Sequence, residues 1–284
     1  MQWGTMPPSE NESYLLDYHR RLAGVTARWF SKTPVFRGDA RFPSTYALLA
    51  AEVPREGRLR AVLDVACGDG YLLELLARRE HGRPGLVGLD MSESELAQAE
   101  ARLEGAATLV QGVAQALPFE DTSFDVVLSH LALMLMDDCE QVLSEIRRVL
   151  KPDGKLSCVV GGGFVPSGTL AVFRGLMQST IAVQPRPPLS LGDTRFRSNE
   201  GLMALFGLAF QQVDVFDLEV QEVGPPERIW ASLASTYDAD QLQPEAREDV
   251  RRAFLAAVEP MKDSAGNLTC DWRMRQVTAS APRR

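Results

Sequence analysis

Apolar residues follow two different patterns along the middle of the chain, between residues 59 and 160. Short unbroken apolar runs, typical of strands buried on both faces, alternate with segments in which apolar positions recur at helical spacing. This alternation predicts an α/β domain in which a parallel sheet is covered by helices on both faces. The predicted strands are residues 61–66, 86–90, 108–111, 124–129 and 155–160.

Polar residues mark where two of the intervening helices begin. Ser92 and Glu95 form a capping-box pattern, in which each side chain can accept a hydrogen bond from the other residue's backbone N–H. A later helix is predicted to start near Asp138 and to end at the turn 151–154. We assign these residues to helix ends and expect no further function from them.

The two ends of the chain differ from this middle part. Residues 10–53 are predicted to be helical, apart from a loop at 33–43. Residues 161–197 are rich in Gly, Pro and Arg, which is typical of a functional lid or a mobile loop. Further helices are predicted at 170–183 and within 227–260.

The last part of the chain shows a period of two. Leu268, Cys270, Trp272 and Met274 alternate with polar residues. This pattern predicts a half-exposed antiparallel strand at an edge of the sheet. Another strand is predicted at 210–220.

Charge and composition argue against several classes of function. The 284 residues carry 30 Lys and Arg against 38 Asp and Glu, a formal net charge of −8, whereas a protein that binds nucleic-acid phosphates needs a basic surface. No apolar run reaches the roughly 18 residues that span a bilayer, and the N-terminus lacks a signal-peptide pattern. The four cysteines form no CxxC pair, so neither a disulfide framework nor a metal site is expected. We expect a cytoplasmic monomer or homodimer with a small-molecule substrate and no nucleic-acid or membrane partner.

The turn after the first predicted strand is the segment most indicative of ligand binding. Gly68 and Gly70 allow a close approach of the backbone to a ligand, at the carboxyl end of the strands where open α/β sheets bind ligands. The dinucleotide fingerprint G-x-G-x-x-G is not met, because Leu73 stands at its third glycine and Asp64 would repel a pyrophosphate. A cationic group near Asp64 and a ribose at Asp90, which ends the second strand, together describe S-adenosylmethionine.

Four segments resemble, in order and at similar spacing, the signature segments of class I S-adenosylmethionine-dependent methyltransferases. They are residues 62–70, 88–91, 116–125 and 150–154. Within this family the chain is most similar to the branch of ubiquinone and menaquinone C-methyltransferases and many small-molecule methyltransferases. The resemblance implies a doubly wound, seven-stranded, mostly parallel sheet whose last strand is antiparallel. We accordingly divide the chain into a helical N-terminal lid, 1–55, and a cofactor-binding domain, 56–284, with cap-like insertions at about 161–200 and 224–264.

The resemblance also implies which residues bind S-adenosylmethionine. They are Asp64, Ala66, Gly68 and Gly70 for the methionine portion, Asp90 for the ribose, and Met91, Val113, Ala114 and Gln115 for the adenine. Ser129 is expected beside the sulfonium, and Tyr18 of the lid is a further candidate contact. Two of these positions depart from the family pattern. Ala66 replaces the first glycine, and Val113 replaces an acidic residue that often accepts a hydrogen bond from the adenine amino group.

The resemblance leaves the catalytic base open. His130 ends the fourth predicted strand and is the candidate base by position; alternatively, it fills space or binds the carboxylate of the ligand. Two roles stay open for His19 in the predicted lid. It contacts the cofactor or substrate, or it only packs its helix against the domain. The histidine base that related O-methyltransferases often carry shortly after this strand has no counterpart in residues 133–136.

Apolar side chains that follow the fourth and fifth predicted strands are candidates for an acceptor pocket, each with plain core packing as its alternative. They are Met134, Met136, Phe164, Phe173, Met177 and Phe196, with Trp230 further along the chain. Arg186, Arg195 and Arg197 lie near the predicted lid, and we interpret them as solvated loop charges rather than as a clamp on an acidic substrate. The Met and Phe side chains after these strands favour an apolar or aromatic acceptor.

The predicted function is transfer of a methyl group from S-adenosylmethionine to an oxygen, nitrogen or carbon atom of a small metabolite, as in secondary-metabolite tailoring. One alternative is a cyclase or other non-methylating catalyst that uses the bound cofactor as a structural or electrostatic element. Another is a non-catalytic binding subunit, which the complete set of Asp64, Gly68, Gly70 and Asp90 disfavours.

Overall fold

The computed structural model describes residues 8–55, 61–79, 85–183 and 189–283. The strands are β1 (Val35–Arg37), β2 (Ala40–Phe42), β3 (Ala61–Val65), β4 (Gly85–Asp90), β5 (Thr108–Gln111), β6 (Phe124–His130), β7 (Leu150–Gly161), β8 (Phe210–Gly224) and β9 (Leu268–Pro282). Within the described residues they form one sheet of nine strands in the order β2-β1-β8-β9-β7-β6-β3-β4-β5.

The central strands confirm the predicted doubly wound architecture. Strands β3 to β7 pair in parallel, and the strand order reverses at β3, which lies between β4 and β6. A crevice opens outside the carboxyl ends of the strands where such an order reverses. The ends of β3, β4 and β6 therefore define the expected place for a ligand.

The helices are α1 (Glu10–Arg21), α2 (Val25–Phe30), α3 (Thr45–Ala51), α4 (Tyr71–Ala77), α5 (Glu93–Leu103), α6 (Cys139–Val149), α7 (Gly168–Ile181), α8 (Asn199–Phe206), α9 (Pro226–Leu233), α10 (Tyr237–Asp240) and α11 (Pro244–Val258). Helices α3, α4 and α5 pack their apolar residues against one face of the central strands. Helices α6 and α8 pack against the other face. Both faces of the parallel strands are thus covered, as their unbroken apolar sequences require.

Serine side chains begin four of these helices. Ser9, Ser44, Ser92 and Ser198 each accept a hydrogen bond from a backbone N–H in the first turn of the following helix. These N–H groups have no partner within the helix, so a serine cap stabilises the helix by about 1 kcal/mol. The caps fix where α1, α3 and α5 begin, and these three helices flank the crevice.

The number of strands differs from the prediction. Residues 33–43, predicted as a loop, contain the hairpin β1–β2, and β1 pairs antiparallel with β8. Val35 of β1 is fully buried. Each strand has only three residues, which is too short for a period of two to be visible in the sequence. The sheet consequently has nine strands rather than seven.

Strand β9 is antiparallel as predicted, but it does not lie at an edge. It pairs with β7 through residues 274–280 and with β8 along almost its whole length. Residues 268–273 extend beyond the end of β7, and there β9 pairs with β8 alone. One face of this two-stranded ribbon is covered by helices, while Thr269 and Asp271 on the other face are exposed. The alternation in the sequence arises from this one-sided covering and not from an edge position.

The two predicted insertions meet in a separate apolar cluster. Phe173 of α7 makes edge-to-face ring contacts with Trp230 of α9 and Phe254 of α11. Leu268 and Cys270 of β9 are buried in the same cluster. The segments 161–200 and 224–264 therefore share one core at the side of the sheet, and the division of the chain into a lid and a domain at residue 55 stays a prediction.

The described residues contain neither a helix that could span a membrane nor a cluster of metal ligands. None of the helices in this part of the chain is long and apolar enough to cross a bilayer. Within the same residues, no group of three or more His, Cys, Asp and Glu side chains could hold a metal ion.

Candidate functional site

A cavity of about 1020 Å³, a volume that includes its open mouth, lies at the carboxyl ends of β3, β4 and β6. Residues of α1 and Tyr237 of α10 also line the cavity and form part of its cover. Most of the residues predicted to bind a cofactor line it, namely Asp64, Ala66, Gly68, Asp90, Met91, Val113, Ala114 and Gln115.

The loop that follows β3 has a backbone that few residues adopt without strain. Ala66, Gly68 and Gly70 all have positive φ, at 57°, 54° and 76°. For Ala66 this conformation costs roughly 1–2 kcal/mol, because its Cβ atom comes too close to the following carbonyl oxygen. Gly70 does not line the cavity; a Cβ atom there would come within 3.0 Å of Ala99 and Leu103. Its glycine allows α4 and α5 to pack closely beneath the loop.

Asp64 is the most deeply buried carboxylate of the site. It is 2% exposed, and its Oδ1 atom has no hydrogen-bond partner among the described residues. Burial raises the pKa of Asp64 well above its ordinary value, and the neighbouring carboxylates Asp90 and Asp69 raise it further. A cationic or hydrogen-bond-donating ligand group at Oδ1 would relieve this cost.

Asp90 connects the ends of β3 and β4. Its Oδ2 atom accepts a hydrogen bond from Gly68 N at 2.9 Å, and its Oδ1 atom accepts one from Ser92 N at 2.8 Å. Burial raises the pKa of Asp90, although these two backbone hydrogen bonds act in the opposite direction. Each carboxylate oxygen keeps a second lone pair, so Asp90 can bind two neighbouring hydroxyl groups while it holds the glycine loop.

The N-terminal helix α1 closes the cavity through hydrogen bonds at both of its ends. At its start, Ser9 and Asn11 donate to the carboxylate of Asp137, at 2.7 and 3.0 Å. Toward its end, His19 Nδ1 lies 2.7 Å from Glu95 Oε1 of α5. Helix α1 therefore spans the mouth from the segment that follows β6 to the start of α5.

Glu95 has a different role from the predicted one. Ser92 Oγ accepts the long hydrogen bond, 3.4 Å, from Glu95 N, but the return hydrogen bond of a capping box is replaced by that between Ser92 N and Asp90. The carboxylate of Glu95 instead accepts from Gly24 N, at 3.1 and 3.0 Å, and contacts His19. It thereby joins α5 to the segment between α1 and α2, which no sequence pattern indicates.

His130 lines the cavity, in agreement with its position at the end of β6. Its ring stacks on Tyr46 with a centroid distance of 3.7 Å, and its Nε2 atom lies 2.8 Å from the hydroxyl of Thr45. Its Nδ1 atom is buried without a partner. Burial lowers the pKa of His130 to about 3, so the ring is neutral at physiological pH and holds an added proton weakly. The structure therefore disfavours His130 as the general base.

Besides Gly70, two of the predicted cofactor contacts lie outside the cavity. The hydroxyl of Ser129 donates to Val65 O at 2.9 Å within the sheet, because successive side chains of a strand point to opposite faces. The hydroxyl of Tyr18 donates to Ser235 O, and the residue is 1% exposed. Both residues support the site without lining it, whereas His19 lines the cavity.

Only one of the residues predicted for the acceptor pocket, Met136, lines this cavity. Phe173, Met177 and Trp230 are buried in the apolar cluster of α7, α9 and α11. Phe196 is buried against Phe206 in the core beneath α8, and Met134 packs at the border of that core. The ring of Phe164 lies against the guanidinium of Arg275 at 3.9 Å. Phe173, Met177 and Phe196 are thus core, which the sequence cannot distinguish from pocket.

The predicted interpretation of the lid arginines holds for Arg195, which pairs with Asp193 and Glu140. Arg186 lies outside the described residues. The cavity residues that the sequence did not single out include Thr26, Tyr46, Cys67, Leu135 and Tyr237. Among these, Cys67 carries a sequence signal, since it lies beside the glycine loop.

The cavity has a marked charge asymmetry. Six carboxylates line it, from Glu12, Asp64, Asp69, Asp90, Glu95 and Asp137. Among the described residues of this lining there is no Lys or Arg, and its basic groups are two histidines. Arg102 pairs with Asp69 from outside the lining. Such a cavity favours a cationic ligand over an anionic one.

Comparison with known sequences places a domain on this part of the chain. Residues 63–158 match a protein family described as a methyltransferase domain. The demethylmenaquinone methyltransferase of Lactobacillus johnsonii is 40% identical over 99 residues, which are 33% of this chain and 41% of that protein. The chain therefore matches less than half the length of the first curated relatives.

Solved structures match over more of the chain. The YcgJ protein from Bacillus subtilis has a TM-score of 0.54 at 17% identity, with 84% of this chain and 97% of that chain covered. The [4+2]-cyclase SpnF has a TM-score of 0.57 at 18% identity, with 97% of both chains covered. At such identities the likeness is one of fold.

Proposed function

We propose that this chain, whose residues 63–158 match a methyltransferase domain, transfers a methyl group from S-adenosylmethionine to a small molecule. The observation that carries the proposal is the pairing of two buried carboxylates at neighbouring strand ends. Asp64 has an oxygen without a protein partner, and Asp90 keeps two free lone pairs beside the glycine loop. An ammonium group at Asp64 and a ribose diol at Asp90 satisfy both, so the donor set fits this cofactor.

The described residues also supply what methyl transfer requires of the protein. S-adenosylmethionine, when bound, supplies an electrophilic methyl group on a positively charged sulfur. The six carboxylates of the cavity stabilise that positive charge, and α1 with Tyr237 excludes water from above. Leu131, Ala132 and Leu135 provide an apolar wall against which an acceptor can be aligned.

The charge of the cavity indicates the class of acceptor. At a distance of about 8 Å and an effective dielectric constant of about 20, one carboxylate repels an anionic acceptor by roughly 2 kcal/mol. Among the described lining residues no Lys or Arg offsets this repulsion. The acceptor is therefore a neutral or cationic molecule with an apolar or aromatic body, and nucleic acid is disfavoured for the same reason.

Matched aromatic compounds test this acceptor class. We expect the protein saturated with S-adenosylhomocysteine to bind neutral aromatic alcohols, such as 2-naphthol, at least about tenfold more tightly than the carboxylates of the same size, such as 2-naphthoate. Titration calorimetry of several such pairs measures the difference. The double variant Glu12→Gln, Asp137→Asn should reduce it, because two of the carboxylates are then neutral. Equal or tighter binding of the anions would contradict the proposal.

Analysis of the products tests the function itself. Incubation of the protein with S-adenosylmethionine and a panel of neutral acceptors should release one S-adenosylhomocysteine for each methylated product. The second candidate, a non-methylating catalyst on this fold, is favoured by the burial of the candidate base His130, which lowers its pKa. Conversion of an acceptor without release of S-adenosylhomocysteine would favour that candidate. Cofactor binding without any conversion across the panel would favour a binding subunit.

A further inference from the structure

Two buried polar atoms of the cavity lack a partner in the part of the chain that the structure describes, namely Oδ1 of Asp64 and Nδ1 of His130. The residues are 2% and 7% exposed. Asp64 is in register with Leu128 in the parallel pair of β3 and β6, and His130 follows Leu128 by two residues. Side chains two residues apart on a strand point to the same face. The two unpartnered atoms therefore belong to the same face and to neighbouring strand ends.

The hydrogen bond to Thr45 indicates which nitrogen of His130 carries the proton. If the Thr45 hydroxyl donates to Nε2, the ring keeps its proton on Nδ1, and one donor is left without an acceptor. If Nε2 donates instead, both the Thr45 hydroxyl proton and the Nδ1 lone pair lack partners. The first arrangement leaves fewer unsatisfied buried groups and is favoured. His130 thus presents an N–H donor at Nδ1, and the lone pair on Nε2 is already engaged.

We infer that His130 is a positioning residue whose Nδ1–H donates a hydrogen bond to the α-carboxylate of the bound cofactor, while Asp64 accepts one from its α-ammonium group. This inference rests on the proposed function. The carboxylate of the cofactor enters a cavity whose described lining has no Lys or Arg, so it depends on neutral donors. A buried N–H without a protein acceptor is such a donor.

An alternative source of the same chemistry is an oxygen atom of the acceptor. Both sources provide an oxygen that accepts a hydrogen bond from Nδ1–H. They differ in that the carboxylate belongs to S-adenosylhomocysteine and is missing from 5′-methylthioadenosine, which shares its adenine, ribose and sulfur. A comparison of these two ligands, without any acceptor, therefore separates the sources.

The test is a calorimetric titration of both ligands into the full chain and into its variants. In His130→Leu we expect the affinity for S-adenosylhomocysteine to fall roughly tenfold or more, since a hydrogen bond to a charged group is lost. The affinity for 5′-methylthioadenosine should change by less than about twofold. His130→Asn places an amide nitrogen close to the position of Nδ1 and should restore most of the affinity for S-adenosylhomocysteine. Asp64→Asn should show the same selective loss as His130→Leu.

Two results would overturn the inference. One is an equal loss of affinity for both ligands in His130→Leu, which would indicate a general packing role beside Tyr46. The other is an unchanged affinity for both, which would assign Nδ1–H to the acceptor. Thermal unfolding of each variant shows whether it is folded. If His130→Leu is unfolded, His130→Phe takes its place, because it keeps a ring against Tyr46 but has no N–H and should show the same selective loss. If the wild-type chain binds neither ligand, the proposed function fails, which is a different outcome from these two.

Discussion

Replacement of Asp90 by alanine is expected to weaken the binding of S-adenosylhomocysteine by a factor of about 10² to 10⁴. Two hydrogen bonds from the ribose to a carboxylate are lost, each worth roughly 1.5–3 kcal/mol. The same change frees Gly68 N and Ser92 N, which Asp90 holds at 2.9 and 2.8 Å. The glycine loop and the start of α5 then lose their common anchor. Titration calorimetry with S-adenosylhomocysteine measures the effect.

Two further variants give this prediction its controls. Glu93→Ala removes an exposed carboxylate three residues along the chain and should leave the affinity unchanged. 5′-Methylthioadenosine retains the ribose, so Asp90→Ala should weaken its binding as well, in contrast to the variants of His130. An affinity for S-adenosylhomocysteine within about threefold of the wild type would refute the assignment of the ribose to Asp90.

Replacement of Glu95 by alanine is expected to lower the free energy of unfolding by about 2–4 kcal/mol and to loosen the cover of the cavity. Glu95 is 3% exposed and binds both His19 and Gly24 N. Without it, the partly buried Gly24 N–H and the Nδ1 atom of His19 lose their partner, and unsatisfied buried groups cost about 1–3 kcal/mol each. Chemical denaturation measures the stability, and amide hydrogen exchange should increase most in α1 and α2.

The control for this variant lies on the same helix. Glu100→Ala removes an exposed glutamate of α5 and should change the stability by less than about 0.5 kcal/mol. A uniform increase in exchange over the whole chain would mean that Glu95 contributes only to global stability. Unchanged exchange in α1 and α2 would contradict its role as the link between α5 and the cover.

The sequence was sufficient for the features that depend on local pattern. The apolar runs predict β3 to β7, because strands buried on both faces must be apolar throughout. The positions of Asp64 and Asp90 follow from the strand ends, and both residues line the cavity. Positive φ at Gly68 is likewise a property that the residue type reveals.

Features that depend on distant parts of the chain could not be predicted in this way. Whether Phe173 is core or pocket depends on Trp230 and Phe254, which are far from it in sequence. Glu95 fits a capping box locally, but the free N–H of Gly24 attracts its carboxylate away from Ser92. The basicity of His130 depends on its burial against Tyr46, and a strand-end histidine carries no sign of this.

The hairpin β1–β2 ties the cover of the cavity to the sheet. Helices α1 and α2 lie over the mouth, yet the chain that follows them directly enters the sheet beside β8, where Val35 is in register with Val220. A chimeric protein that carries helices α1 and α2 on a related domain must therefore be joined between α2 and β1, at residues 31–34. A junction at residue 55 would remove two strands, and the main-chain groups of Glu219 and Val220 in β8 would lose their pairing with β1, which invites association between copies.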